Sequence, residues 1–186
     1  MATASVELRP ERYRSYLLVL ARAGLQVSRL LRHGISASDL VQEALLQAHK
    51  ALPQFQGATE GELKAWLRKI LANKLADAAR REGRQKRNAD LEESFRESLD
   101  ASAKHFEKFA AKETTPTQYV LRRERELLIA EALAALPDDQ AMAVSLRHLS
   151  GCSVGEIADA MDRTPAAVAG LLRRGLENLR ERLRNV

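Results

Sequence analysis

Aromatic side chains make up only 4 % of the 186 residues, and there is a single cysteine, Cys152. One cysteine excludes an internal disulfide and suits a reducing compartment, where such a residue usually serves as a small, partly buried side chain. No apolar run approaches the roughly eighteen residues that would mark a membrane-spanning helix. The first residues, Met1-Ala2-Thr3-Ala4-Ser5-Val6-Glu7, lack the basic start and the apolar segment of an export signal, so the expected location is the cytoplasm, with no membrane partner. β-Branched runs with two-residue alternation are missing too, which argues against sheet.

Signs of catalysis are equally sparse. His33, His49, His105 and His148 have no paired metal spacing with Cys152 or with carboxylates. There is no glycine-rich phosphate loop and no nucleophile with an evident base. The expectation is a protein without metal, cofactor or catalytic residues, and not an enzyme. What is abundant is Ala and Leu mixed with Arg, Glu and Lys. With 45 % hydrophobic residues, that mixture is enough to build cores and favours an all-α fold.

The net charge of +5 is unevenly spread. From Met1 to Arg87 there are 16 Lys+Arg against 8 Asp+Glu, from Asn88 to Val120 4 against 7, and from Leu121 to Val186 10 against 10. A basic first part, an acidic connector and a balanced last part localise polyanion contact to the first. The expected organisation is therefore two small helical domains, 8–87 and 118–186, joined by an acidic linker over 88–117.

Helix signals are local and clear. A first helix starts near Pro10, carries Tyr13, Leu17, Leu20 and Gly24 on one face, and breaks before Gly34. Ser36-Ala37-Ser38-Asp39 has the capping-box pattern, and its helix runs to about Leu52 before Pro53. Thr59-Glu60-Gly61-Glu62 repeats that pattern and opens the longest basic helix, with Leu63, Leu67, Ile70, Leu71 and Ala78 inside. Between Lys64 and Arg87 nine Lys+Arg face two acids, Asp77 and Glu82, a footprint of phosphate binding. The segment 88–116 is polar and weakly periodic and ends in Thr114-Thr115-Pro116-Thr117. It reads as a linker with a transient helix around Leu99 to Phe109. Helical periodicity resumes at Gln118, and Leu136-Pro137-Asp138-Asp139 marks another helix start.

The sharpest pattern lies between Ser153 and Arg182. Ser153-Val154-Gly155-Glu156 caps a helix of about two turns with Ile157, Ala158 and Met161 inside. Asp162-Arg163-Thr164 is a turn, after which Thr164 as N-cap and Pro165 start a helix carrying Val168, Leu171 and Leu172. This predicts a helix-turn-helix in which small Ala158 allows close approach of the two helices. A hairpin of plain bundle packing has the same local form. Six Arg against Glu177 and Glu181 after residue 162 favour DNA, and a solvated charged face is the alternative.

The order of motifs resembles the extracytoplasmic-function sigma factors, in particular the compact kind common among planctomycete bacteria. The resemblance is carried by Asp39-Leu40-Val41-Gln42-Glu43-Ala44, by Phe55-Gln56-Gly57 with Ala65-Trp66-Leu67-Arg68-Lys69-Ile70-Leu71-Ala72-Asn73, and by Leu136-Pro137 through Leu146-Arg147-His148-Leu149-Ser150-Gly151 into the helix-turn-helix. With their spacing these cover Tyr13 to Leu183. The resemblance implies a subunit that directs core RNA polymerase to promoters, with docking on the clamp helices and flap of the polymerase. A stand-alone helix-turn-helix activator and a non-DNA helical adaptor are the rival readings.

Carried onto this sequence, the resemblance assigns polymerase docking to Asp39, Val41, Gln42, Glu43 and Leu46. It assigns the minus-ten element to Phe55, Gln56, Trp66 and Asn73 near unpaired bases and to Arg68, Lys69, Lys74, Arg80 and Arg81 on phosphates. Trp66 and Phe55 are balanced between core and DNA. The minus-thirty-five element falls to Arg163, Thr164, Ala166, Ala167, Ala169, Gly170, Arg173 and Arg174. Where many family members carry polar residues, Ala166, Ala167, Ala169 and Gly170 offer few donors, leaving Thr164, Arg173 and Arg174 as the chemically able ones. Of the two arginines, Arg173 is assigned a base edge and Arg174 a phosphate. A separate anti-sigma factor is a further expected class of partner.

Overall fold

The computed structural model describes residues 9–27, 35–81, 88–113 and 122–184, and among them every regular element is helical. A 3-10 turn, Pro10–Tyr13, leads into α1, Arg14–Val27. α2 spans Ala37–Ala51 and ends in a 3-10 turn, Leu52–Gln54, at Pro53. α3 is Glu60–Arg81, α4 Asn88–Lys112 and α5 Arg122–Ala134. α6 (Asp138–His148), α7 (Val154–Met161) and α8 (Pro165–Arg184) follow. The expected break before Gly34, the Arg84 to Arg87 end of the basic run and the Thr114 to Thr117 stretch lie outside the described residues.

α1 is the central helix. Its predicted stripe Tyr13, Leu17 and Leu20 is buried, but so are Tyr16, Val19, Ala21 and Ala23. A helix apolar all round is one covered on several sides, and α1 touches α2, α3, α4, α5 and α6. Gly24 is needed there: a Cβ on it would lie 2.9 Å from Leu75 Cδ1 and 3.3 Å from Leu99 Cδ2, so glycine lets α3 and α4 close on α1.

The acidic connector differs from the expectation of a linker with only a transient helix. It forms the 25-residue α4, whose Leu91, Phe95, Leu99, Ala103, Phe106, Phe109 and Ala110 are buried against the first helices. These residues recur at three- and four-residue steps, a buried helical stripe that the acids on the other face obscured. Phe106 meets Tyr16 of α1 edge to face, with ring centroids 5.8 Å apart.

α5 and α6 also pack on α1, so one apolar core runs from Tyr13 to Leu179. The helix-turn-helix keeps a smaller core of its own, made by Ala143, Leu146, Ile157, Ala158 and Val168. Gly175 sets the α6–α8 spacing, since a Cβ there would stand 2.8 Å from Val144 Cγ2.

Candidate nucleic-acid interface

α2 begins where Ser36 Oγ accepts the amide of Asp39 at 3.3 Å. Leu40, Ala44 and Ala48 face the core, and Asp39, Gln42 and Leu46 face solvent. Leu46, 57 % exposed, is the one large apolar side chain that stands exposed among the described residues. Val41 requires a correction: it is fully buried, so it supports α2 from inside and is not part of the docking surface. Glu43 is half-buried, with Oε2 3.9 Å from both Lys74 Nζ and Arg81 Nη2 of α3.

α3 starts at a reciprocal cap. Thr59 Oγ1 accepts the Glu62 amide at 3.2 Å, and Glu62 Oε2 accepts the amides of Thr59 at 2.9 Å and Ala58 at 3.0 Å. The Thr59 hydroxyl and these amides hold the Glu62 carboxyl below its ordinary value. Beside this cap Phe55 and Trp66 form a tilted ring pair, centroids 4.8 Å apart, and both are half-buried. Gly57 lies under the Phe55 ring, where a Cβ would fall 2.3 Å from its Cζ. Both rings are packed against the core while remaining partly exposed. Gln56 is exposed and Asn73 half-buried.

The basic face of α3 is not uniformly open. Lys69 and Arg81 are exposed. Arg68, expected on phosphate, is instead only 17 % exposed, with Nε 2.6 Å from Asp100 Oδ1 and Nη1 3.1 Å from the Tyr16 hydroxyl. Arg80 bridges Asp77 and, at 3.5 Å, Glu92. Both acids across from these arginines, Asp100 and Glu92, come from α4, so folding of the connector brings carboxylates where phosphates were expected.

A second cluster escaped the sequence. Lys64 Nζ lies 2.7 Å from Glu126 Oε2, 3.3 Å from Glu60 Oε1 and 5.7 Å from the Tyr16 ring centroid. Burial lowers the Lys64 pKa, but Glu126 and Glu60 outweigh it and hold the ammonium above its ordinary value. Arg22 Nη2 meets Asp138 Oδ1 at 2.9 Å across α1 and α6. Arg180 of α8 forks onto Glu113 at 2.9 and 3.3 Å. Only the Glu60–Lys64 spacing carried a local signal, since the other partners are far apart in the chain.

The helix-turn-helix forms as its caps dictate. Ser153 Oγ accepts the Glu156 amide at 3.2 Å, and Glu156 Oε2 accepts the Ser153 amide at 2.7 Å. α7 ends at Asp162, whose left-handed backbone (φ 52°, ψ 53°) turns the chain, a conformation that short polar Asp tolerates. Thr164 Oγ1 accepts the Ala167 amide at 3.2 Å, and Pro165 opens α8. Thr164, Ala166, Ala167 and Ala169 are exposed, Gly170 is half-buried, and Val168 is buried. Arg163 Nη2 lies 3.2 Å from Asp139 Oδ2, which ties the turn to α6. Cys152 is half-buried beside this unit, and burial raises its thiol pKa, with Glu156 adding to the effect.

Comparison with known proteins agrees with this layout. The Sigma-70 region 2 family matches residues 11–85, the stretch of α1 to α3, and the Sigma-70 region 4 family matches residues 126–179, from α5 into α8. The ECF RNA polymerase sigma-E factor of Escherichia coli (strain K12) is 31 % identical over 137 residues, covering 73 % of this chain and 67 % of that protein. The chain belongs to the extracytoplasmic-function sigma factors of the sigma-70 family. The sigma-E factor of Haemophilus influenzae is 27 % identical over 173 residues, 91 % of this chain and 88 % of that one. Among solved structures, a similarity is found to the sigma factor RpoE in complex with the anti-sigma factor NepR from Bartonella quintana. It has 24 % identity and a TM-score of 0.35, and the match covers 91 % of this chain and 93 % of that chain.

As a sigma factor the chain binds core RNA polymerase and promoter DNA and directs transcription initiation. Neither the stand-alone activator nor the adaptor reading is favoured. Among the described residues no helix is long and apolar enough to cross a membrane.

Proposed function

We propose that this sigma factor divides its work among three surfaces. The solvent face of α2, with Asp39, Gln42, Leu46 and the edge carboxylate of Glu43, docks on polymerase. The Phe55–Trp66 corner with Gln56 and Asn73 receives unpaired minus-ten bases, while Lys69, Lys74 and Arg81 meet the neighbouring phosphates. Arg68 and Arg80 join them only when Asp100 and Glu92 let go. The leading face of α8, from Thr164 to Arg174, with Arg163 in the turn before it, lies on the minus-thirty-five element. The domain limits that accompany this reading are 8–87 and 118–186.

The observation that carries the reading is the capped turn at Asp162–Thr164 followed by a helix whose leading residues Thr164, Ala166, Ala167 and Ala169 are all exposed. An amphipathic helix set at such a turn, with one side in a private core and the other bare, has the form that enters a major groove. The protein acts in this reading as a non-enzymatic DNA-binding subunit in the cytoplasm, without a cofactor or metal. A separate anti-sigma factor stands as a second class of protein partner.

Photo-crosslinking of the holoenzyme on a promoter tests the assignment. With the crosslinker p-benzoylphenylalanine at position 46, 69 or 167, adducts are expected with the largest polymerase subunit, minus-ten DNA and minus-thirty-five DNA respectively. An adduct from position 167 with protein alone would remove α8 from the groove.

A further inference from the structure

Gly170 stands at the middle of the outer face of α8. On a helix of 3.6 residues per turn, Ala166, Ala167, Arg173 and Arg174 all project within about 60° of it, while Val168 and Leu179 are fully buried on the opposite side. Glycine inside a helix is less favourable than alanine. Gly24 and Gly175 have a packing reason against neighbouring helices, whereas Gly61 and Gly155, in the first turns of α3 and α7, have open space around them. Gly170 has no such packing reason, and its φ lies outside the left-handed region. Apart from the helix's own backbone, the three nearest atoms that a Cβ would meet belong to Arg174: Nη1 at 3.1 Å, Nη2 at 3.5 Å and Cζ at 3.7 Å.

The two adjacent arginines therefore run in opposite directions along the helix. Arg174 leans back one turn, the natural lean of a helical side chain, and sets its guanidinium over the bare backbone at Gly170. Arg173 leans forward, with Nη1 3.4 Å from Glu177 Oε1. The first guanidinium is carried towards the end of α8 that would enter the groove, the second away from it. A guanidinium seated beside a glycine meets no side chain at position 170, and its five-donor fork lies on the face that would approach the bases.

We propose that Gly170 is a positioning residue for promoter specificity. Lacking a Cβ, it seats the Arg174 guanidinium at the centre of the recognition face, where the fork reads O6 and N7 of a guanine in the minus-thirty-five element. Arg173, held by Glu177, meets a phosphate. This exchanges the roles expected for the two arginines from sequence, and it rests on the reading that α8 enters the major groove. A methyl group at position 170 is small, but it must push the fork by a few tenths of an ångström. Such a shift takes up much of the roughly half ångström within which productive geometry is held, so the bidentate contact is weakened and not abolished.

The test uses holoenzyme reconstituted from the full chain and core polymerase, on promoters in which each minus-thirty-five base pair is varied in turn. Arg174→Ala is expected to lose about tenfold preference for one G·C pair, the size of one bidentate contact. Gly170→Ala should lose preference at that same pair, roughly three- to tenfold, with a melting temperature equal to or above the parent's because alanine favours helix. The double variant should be no worse than Arg174→Ala alone. Arg173→Ala should weaken all promoters alike and lower the salt slope by about one. Parental preference in Gly170→Ala, with loss in Arg174→Ala, would overturn the positioning role, as would base-specific loss in Arg173→Ala. Ala167→Glu serves as the separate check on the groove itself: if a carboxylate there leaves dependence on the minus-thirty-five element intact, α8 does not lie in the groove and the inference falls with it.

Discussion

Asp100 of α4 lies 2.6 Å from Nε of Arg68 in α3, and the same guanidinium reaches the Tyr16 hydroxyl of α1 at 3.1 Å. Burial alone would lower the Arg68 pKa, but Tyr16 and Asp100 reverse that and hold it above its ordinary value. Three helices thus meet at one cation, on the face where sequence placed a phosphate. Two acids of the connector, Asp100 and Glu92, face arginines of the basic helix.

Removal of that carboxylate should expose a latent DNA contact. Asp100→Ala is expected to cost about 1 kcal/mol of stability at most, since the carboxylate is nearly half exposed and partly screened. In return, binding of the chain to minus-ten DNA should strengthen at low salt, and the dependence of log affinity on log salt should steepen by about one charge. Fluorescence anisotropy across a salt series measures this. An unchanged slope would show that Arg68 does not reach phosphate when released.

The exposed Leu46 beside Gln42 makes a direct prediction for polymerase. Gln42→Ala combined with Leu46→Asp changes only solvent-facing positions of α2, so the melting temperature should stay within a degree or two. Affinity for core polymerase should fall about tenfold or more, as expected when an apolar contact at an interface is lost. A folded double variant that binds polymerase like the parent would move the docking surface elsewhere.

The aromatic corner can be tested from two sides. Each base stacked on an aromatic ring contributes roughly 1–3 kcal/mol, so Phe55→Ala with Trp66→Ala should impair promoter opening more than initial binding. Permanganate footprinting of the minus-ten region separates the two. Gly57→Ala should produce a milder form of the same defect by forcing the Phe55 ring off its seat. Normal opening by the folded double variant assigns both rings to packing.

Stability should depend on pH through His148. Its ring faces Phe109 with centroids 4.8 Å apart. Burial pulls its pKa below the ordinary value of 6.5, Arg147, Lys112 and Arg180 push the same way, and Glu113 opposes them. Above that ordinary value the imidazole is neutral in folded and unfolded chains alike. Below it the unfolded chain takes up the proton first, so stability falls as the pH drops from about 6.5 towards the lower folded value. Urea midpoints between about pH 7 and pH 5 should decline in the parent and decline less in His148→Phe. Parallel curves would exclude this residue as the source.

Local chemistry was legible in the sequence and distant pairing was not. Thr59 with Glu62, Ser153 with Glu156, and Thr164 before Pro165 act within one helical turn, so residue order alone located the starts of α3, α7 and α8. α4 reads as a linker in the sequence because its six acids outweigh a stripe, Leu91, Phe95, Leu99 and Phe106, that needs a partner helix to gain meaning. The resemblance groups Val41 with the docking residues, although it lies one position from Leu40 on the side that the core covers. The partnership of Arg22 with Asp138, 116 residues apart, depends on α6 packing against α1. No spacing rule reports such a contact.

The most direct measurement of the central claim is transcription by core polymerase of the same bacterium, with and without the full chain, on a pool of randomised promoter sequences. Sequencing the transcript starts should reveal initiation that requires the chain and enriches two spaced DNA elements, with the chain co-purifying with polymerase. Failure to bind polymerase, together with tight specific binding of duplex DNA by the chain alone, would contradict the account.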